Sequence, residues 1–167
     1  MSAKRKIDPL EADVTRYMDK LSNWGKWGPE DQLGALNYIT PAKRVAAAAL
    51  VRTGEVVSTS LPLPTQPGER NLFPVLHFMI QTGEKKDATT SRDFFGCACH
   101  GRTVSHLDAL CHRFWKGRMY NGFPANEVRV DGAYRNAIHD VRERVSGRGV
   151  LLDVPAAAGK DWLSPGQ

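Results

Sequence analysis

The positions from His106 to His112 carry two imidazoles and a carboxylate, within the run Ser105-His106-Leu107-Asp108-Ala109-Leu110-Cys111-His112. His106 and Asp108 are two apart, so an extended backbone projects both from one face. His112 follows Asp108 by four, one turn away if the chain bends into a helix there. Imidazole nitrogen plus carboxylate oxygen is a donor set that suits zinc or manganese. The competing reading is an aspartate that fixes a histidine tautomer in a buried polar cluster.

The elements around this run are read from spacing and turn residues. Asp8-Pro9-Leu10-Glu11 starts a helix: Asp8 can cap, Pro9 suits the first helical position, and Glu11 completes a capping box. Leu10, Val14, Tyr17, Met18 and Leu21 follow at helical spacing, and the helix is expected to end near Asn23. Trp24 and Trp27 lie in the Gly/Pro-rich connector after it, and read first as core or subunit contacts. Thr40-Pro41 starts a second helix that runs through the alanines to Leu50, with Gly54 placed to stop it.

Strands are expected at Glu55 to Leu61, Val75 to Gln81 and Phe94 to Ser105. The last of these would be irregular at Gly96 and Gly101 and would deliver His106 at its end, where a rigid sheet holds ligand geometry. Pro62 to Arg70 reads as loop and Glu84 to Arg92 as a polar turn. The near-continuous apolar run Gly149 to Val154 reads as a buried central strand. Helices first and strands after them indicate an α/β or α+β domain on a mixed sheet.

The stretch His106 to Trp115, with Gly117-Arg118-Met119-Tyr120-Asn121-Gly122 after it, resembles the cyclase family, which contains bacterial kynurenine formamidases and other metal-dependent amide hydrolases. That family's motif is His-x-Gly-Thr-His-x-Asp-x-x-x-His. His106, Asp108 and His112 match its second His, its Asp and its last His. Ser105 stands for the Thr, Val104 for the Gly, and Arg102 for the first His. Trp27 to Asn37, Val51 to Ser58 and Arg148 to Val154 resemble further family segments, in the expected order.

The resemblance implies an α/β fold, a swivelling β/β/α-type domain with a mixed, barrel-like sheet. It implies one domain over 1–167, with a helical lead-in to about 53 and the sheet and metal motif from about 54. It assigns His106 and Asp108 to a divalent metal, zinc or manganese, with Asp108 able to bridge two ions. It assigns His112 to proton transfer, a task that suits imidazole. It also implies an N-terminal portion, incomplete at the C-terminus. The family draws another metal-binding His and a Glu from a later segment, whereas this sequence ends at Asp161-Trp162-Leu163-Ser164-Pro165-Gly166-Gln167.

Arg102 stays protonated and cannot ligate a metal. Two matched ligands remain, below the three usual for catalytic zinc. His100 is a candidate substitute. It shares a strand face with residue 102, roughly 6.6 Å away, and a bulge at Gly101 would bring it nearer. Otherwise His100 is a surface strand residue. Cys97 and Cys99 read as small buried apolar residues. Cys111 lies among the ligand candidates and offers a thiol, His77 reads as a core or edge histidine, and His139 lacks the expected context.

At 167 residues and 41% hydrophobic, the chain can bury a sizeable core. No apolar run is long enough for a bilayer, and the basic start Lys4 to Lys6 is followed by no apolar signal region. Three clustered cysteines do not make a disulfide framework, so a reduced cytoplasmic setting is expected. The net charge is +5, but the cations are scattered, so neither nucleic acid nor membrane is expected as a partner.

The leading reading is a hydrolase of a small aryl or cyclic amide, arylformamidase-like, of the N-formylkynurenine to kynurenine type in tryptophan catabolism. A lactam, lactone or polyketide-like ring is a second substrate class. A catalytically inactive remnant that binds a ligand or partner is the non-enzymatic alternative. Partners are then a small-molecule substrate and further copies of the chain in a homo-oligomer.

Overall fold

The computed structural model of the chain describes residues 9–69, 71–100 and 104–164. They divide into two units. The first joins Met1–Gly54, Tyr120–Phe123 and His139–Gln167, and the second joins Glu55–Met119 and Pro124–Ile138. Arg102, Gly101, Asp8 and the basic residues Lys4 to Lys6 lie outside the described residues.

In the first unit, helix α1 spans Pro9–Lys20 and helix α2 spans Pro41–Ala48. The start of α2 is where the sequence places it. The Thr40 side chain accepts from the Lys43 amide at 3.3 Å and Pro41 occupies the first turn. Helix α1 stops three residues before Asn23, and Leu10, Val14, Tyr17, Met18 and Leu21 of its apolar stripe remain exposed.

Polar clamps hold the connector after α1. The two hydrogens of Asn121 Nδ2 are shared among the carbonyls of Gly28, Pro29 and Asp31, at 2.9, 3.0 and 3.1 Å, one of them bifurcated. Its Oδ1 accepts from the Gly25 amide at 2.6 Å. The backbone of Asn121 takes φ 62°, a left-handed conformation that asparagine tolerates better than most residues. Asp31 accepts from the Gly34 amide at 2.9 Å, from Asn37 Nδ2 at 2.7 Å and from the Tyr120 hydroxyl at 2.7 Å. Burial opposes the charge on Asp31, but the bonds from Asn37, Tyr120, Gly34 and Leu33 together outweigh it and hold the carboxyl below its ordinary value. Burial first, then the hydrogen bond to Asp31 and its charge, push the Tyr120 hydroxyl up, so it remains a donor.

In the second unit, strands β1 (Leu76–Gln81) and β2 (Arg92–Gly96) form an antiparallel hairpin. Leu76 faces Gly96, Phe78 faces Phe94, and the register shifts between Met79 and Gln81. Phe78 and Phe94 stack at 5.0 Å between centroids. The segment before β1 folds back on itself: Val75 N–H donates to Pro64 O at 2.9 Å, and Asn71 Nδ2 donates to Gln66 O at 2.6 Å. Strands β3 (Val128–Arg129) and β4 (Gly132–Ala133) form a second, shorter antiparallel pair. The buried apolar side chains of this unit are Val75, Met119 and Ala137.

Four expectations are corrected. Glu55 to Leu61 forms no strand. Among the described residues, the strand expected over Phe94 to Ser105 is confined to β2, which starts at Arg92 and ends at Gly96, so Val104 to Ala109 lie in no strand and lead into a 3-10 turn. Gly149 to Val154 is not a buried strand: Leu151 and Leu152 are 87% and 80% exposed, and the run ends in a short helix, α3 (Val154–Ala157), capped by Asp153. Finally, the described residues show two two-stranded sheets and no closed barrel. One reason covers all four. Apolar, β-branched composition states a preference, but a strand exists only where a neighbour takes up its backbone hydrogen bonds.

The clamps and the hairpin each generate a prediction. Asn121→Ala should cost about 3 kcal/mol of stability, and Asn121→Gly about 1 kcal/mol less than that because the left-handed backbone is then free of strain. The folded carboxyl of Asp31 lies below its unfolded value near 3.8, so its contribution is complete above about pH 5 and is lost as the pH falls through the folded value. Thermal melts from pH 6 to pH 2.5 should show that loss, and Asp31→Asn should flatten it. Both faces of the β1–β2 hairpin are exposed, a marginal arrangement for two strands alone. Sedimentation should therefore show a mass that rises with concentration and falls toward monomer in Leu76→Lys. A monomer at every concentration would contradict this.

Candidate metal centre

The second unit brings His100, His106 and His112 around one carboxylate, Asp108. His100 Nδ1 lies 2.8 Å from Asp108 Oδ1 and His106 Nε2 lies 3.4 Å from the same oxygen. His112 Nε2 lies 3.7 Å from Asp108 Oδ2. The His100 and His112 rings stack in parallel, 4.3 Å apart and inclined by 6°, and His106 meets His100 edge-on at 5.4 Å. One ligand atom from each of His100, Asp108 and His112 lies within 4.8 Å of the others.

Short backbone links set these positions. Leu110–His112 is a single 3-10 turn, closed by His112 N–H to Ala109 O at 3.0 Å. The Cys111 amide donates to Asn136 O at 3.1 Å, which ties the turn to the buried Asn136. Upstream, the Ser105 hydroxyl accepts from the Leu61 amide at 3.3 Å. Downstream, Trp115 and Arg118 pair by two backbone hydrogen bonds of 2.8 and 3.0 Å across Lys116 and Gly117. Both of these central residues have positive φ, the geometry of a type I′ turn.

The orientation of His106 decides the chemistry of the cluster. Its Nδ1 is 2.7 Å from Val104 O. A carbonyl oxygen can only accept, so Nδ1 must carry the proton. In the neutral ring Nε2 then presents a lone pair, and it faces the Asp108 carboxylate at 3.4 Å. Two acceptors in that position repel unless a cation or a proton lies between them. The residues therefore fit a divalent ion: nitrogen and carboxylate donors, one imidazole oriented from behind by a backbone carbonyl, and a third side chain in reach.

The remaining candidates fall elsewhere. His77, on exposed β1, pairs with Asp93 of β2 at 2.9 Å. His139 lies 3.2 Å from its neighbour Asp140. The cysteines Cys97, Cys99 and Cys111 are free thiols; Cys99 is exposed rather than buried, and Cys97 and Cys111 are half-buried. None of the three joins the ligand group among the described residues. The Val104 carbonyl was invisible to sequence reasoning, because a main-chain acceptor leaves no residue-type signal.

A zinc or manganese titration followed by histidine ring NMR signals should move His100, His106 and His112 together. Asp108→Ala should abolish the coordinated response, since it removes the shared carboxylate, whereas Cys111→Ser should preserve it. Independent movement of the three rings would show that they do not form one donor set.

Comparison with solved structures gives a neighbour described as a novel cyclase, at 35% sequence identity and a TM-score of 0.76. The match covers 86% of this chain and 52% of the neighbour, so the chain spans about half that protein's length. No protein-family model matches the chain, and no curated protein matches it. Over most of its length the chain shares the fold of that cyclase.

Proposed function

We propose that the chain belongs to a metal-dependent hydrolase of the cyclase family that acts on a small aryl or cyclic amide, with arylformamidase-like cleavage as the first reaction to test. The observation that carries this reading is the convergence of three imidazoles, those of His100, His106 and His112, on the single carboxylate of Asp108 at 2.8, 3.4 and 3.7 Å. The 35% identity to a protein described as a cyclase supports it.

In this reading His106 and Asp108 hold the ion together with His100, while the tightest donor group, within 4.8 Å, is His100, Asp108 and His112, so that His112 stands beside the ion. His100 supplies the third ligand that Arg102 cannot, which meets the number usual for catalytic zinc. When bound, zinc or manganese supplies Lewis acidity toward a carbonyl oxygen and acidifies water. Asp108 keeps one oxygen toward His100 and His106 and the other toward His112. His112 has the longest approach to Asp108 of the three imidazoles, and it moves the proton: it accepts from the attacking water and returns the proton to the leaving nitrogen. The Val104 carbonyl keeps His106 Nδ1 protonated and its Nε2 aimed inward.

Among the described residues no helix is long and apolar enough to cross a membrane, and the cysteines are free. These features accord with a cytoplasmic setting, and the exposed apolar hairpin accords with a homo-oligomer. A role in tryptophan catabolism would follow from an N-formylkynurenine substrate.

One observation favours the alternative of a binding module without turnover. The cluster is open to solvent: the Asp108 side chain is 43% exposed and that of His100 55%. Steady-state hydrolysis of an N-formylated arylamine by the metal-loaded protein separates the two. Asp108→Asn should lose both metal and rate. His112→Gln should keep the metal and lose about 10²- to 10⁴-fold in kcat. Metal retention with no hydrolysis in the parent protein would support the binding module, and joint loss of metal in His112→Gln would make His112 a ligand.

A further inference from the structure

We infer that an open cleft beside α2, in the first unit, binds a small aromatic carboxylate. The cleft has a volume of about 480 Å³, within the range of small-ligand sites. One wall is apolar, built from Ala46, Ala47 and Leu50 on and just after α2. The rest of the lining is Tyr38, Ile39, Gly147 and two cations, Lys43 and Arg148. No carboxylate lines it, and among the described residues neither cation forms an ion pair. An occupant matching this lining has one negative end and a flat apolar body.

The Tyr38 wall is already fixed. Trp27 meets its ring edge-on at 5.1 Å and 81°, the Lys26 ammonium contacts its hydroxyl, and Lys26 also lies 4.9 Å from its ring centroid. Lys43, exposed at the start of α2, lies 5.9 Å from the same centroid. At the start of α2, Arg44 donates to Ile39 O at 2.7 Å and so fixes the carbonyl next to Tyr38. Pre-positioned groups of this kind reduce the ordering cost of binding. The net charge of +5 draws anions toward the chain. A simple inorganic anion would satisfy Lys43 and Arg148 but would leave the apolar wall unused. A neutral aromatic would cover the wall and leave both cations unmatched. This inference concerns the first unit alone and does not depend on the metal reading.

Equilibrium dialysis of the metal-free protein against labelled benzoate, benzamide and inorganic phosphate tests it. Benzoate should bind about five-fold more tightly than either of the others. Lys43→Met and Arg148→Met, which keep the apolar stems, should each weaken benzoate by about five-fold without changing the melting temperature. His106→Ala should leave benzoate binding unchanged. Equal affinity for benzamide, equal affinity for phosphate, full benzoate affinity in both methionine variants, or loss of benzoate binding in His106→Ala would each overturn the inference.

Discussion

The side chain of Asn121 satisfies three carbonyls and one amide of the segment from Gly25 to Asp31. That segment has no regular secondary structure to absorb its polar groups, and loops of that kind survive only when other groups take up their hydrogen bonds. Asparagine can do this because it carries both a donor and an acceptor on one short stem and accepts the left-handed backbone at φ 62°. Asp31 and Tyr120 reinforce the same place, with the carboxylate held ionised by bonds that outweigh its burial. The Gly34–Tyr38 turn, and through it Tyr38 and the start of α2, stand on this network.

A second carboxylate organises the other unit in a different way. Among the described residues Asp108 faces imidazoles, where Asp31 faces amide and hydroxyl donors. Asp31 is therefore a structural anion and Asp108 an acceptor set out for a cation. The contrast arises from what surrounds them. Donors converge on Asp31, whereas His106 turns Nε2 toward Asp108 because its Nδ1 is bonded to Val104 O.

Apolar surface marks both units. The β1–β2 hairpin, the stripe of α1 and the run from Val150 to Val154 all present large hydrophobic side chains to solvent. Singly exposed residues need no explanation, but contiguous ones mark surfaces for contact. The cleft beside α2 differs from these because two cations accompany its apolar wall, and that pairing selects for a charged ligand rather than for another apolar face.

The sequence by itself determined the local features whose physics is local. Pro41 after Thr40 sets the start of α2, the polar run from Glu84 to Arg92 turns the chain into a hairpin, and the spacing of His106, Asp108 and His112 puts them in one neighbourhood. His100 was legible only as an option, because it lies six, eight and twelve positions before His106, Asp108 and His112, outside any local spacing rule. Tertiary structure decided the rest. It placed His100 Nδ1 at 2.8 Å from Asp108 and aimed His106 through a main-chain carbonyl. Among the described residues it also left Gly149 to Asp153 out of any strand and put Val154 into α3. Each of these depends on where a second segment lies, and hydrogen-bond partners distant along the chain leave no trace in the composition or periodicity of the segment they complete.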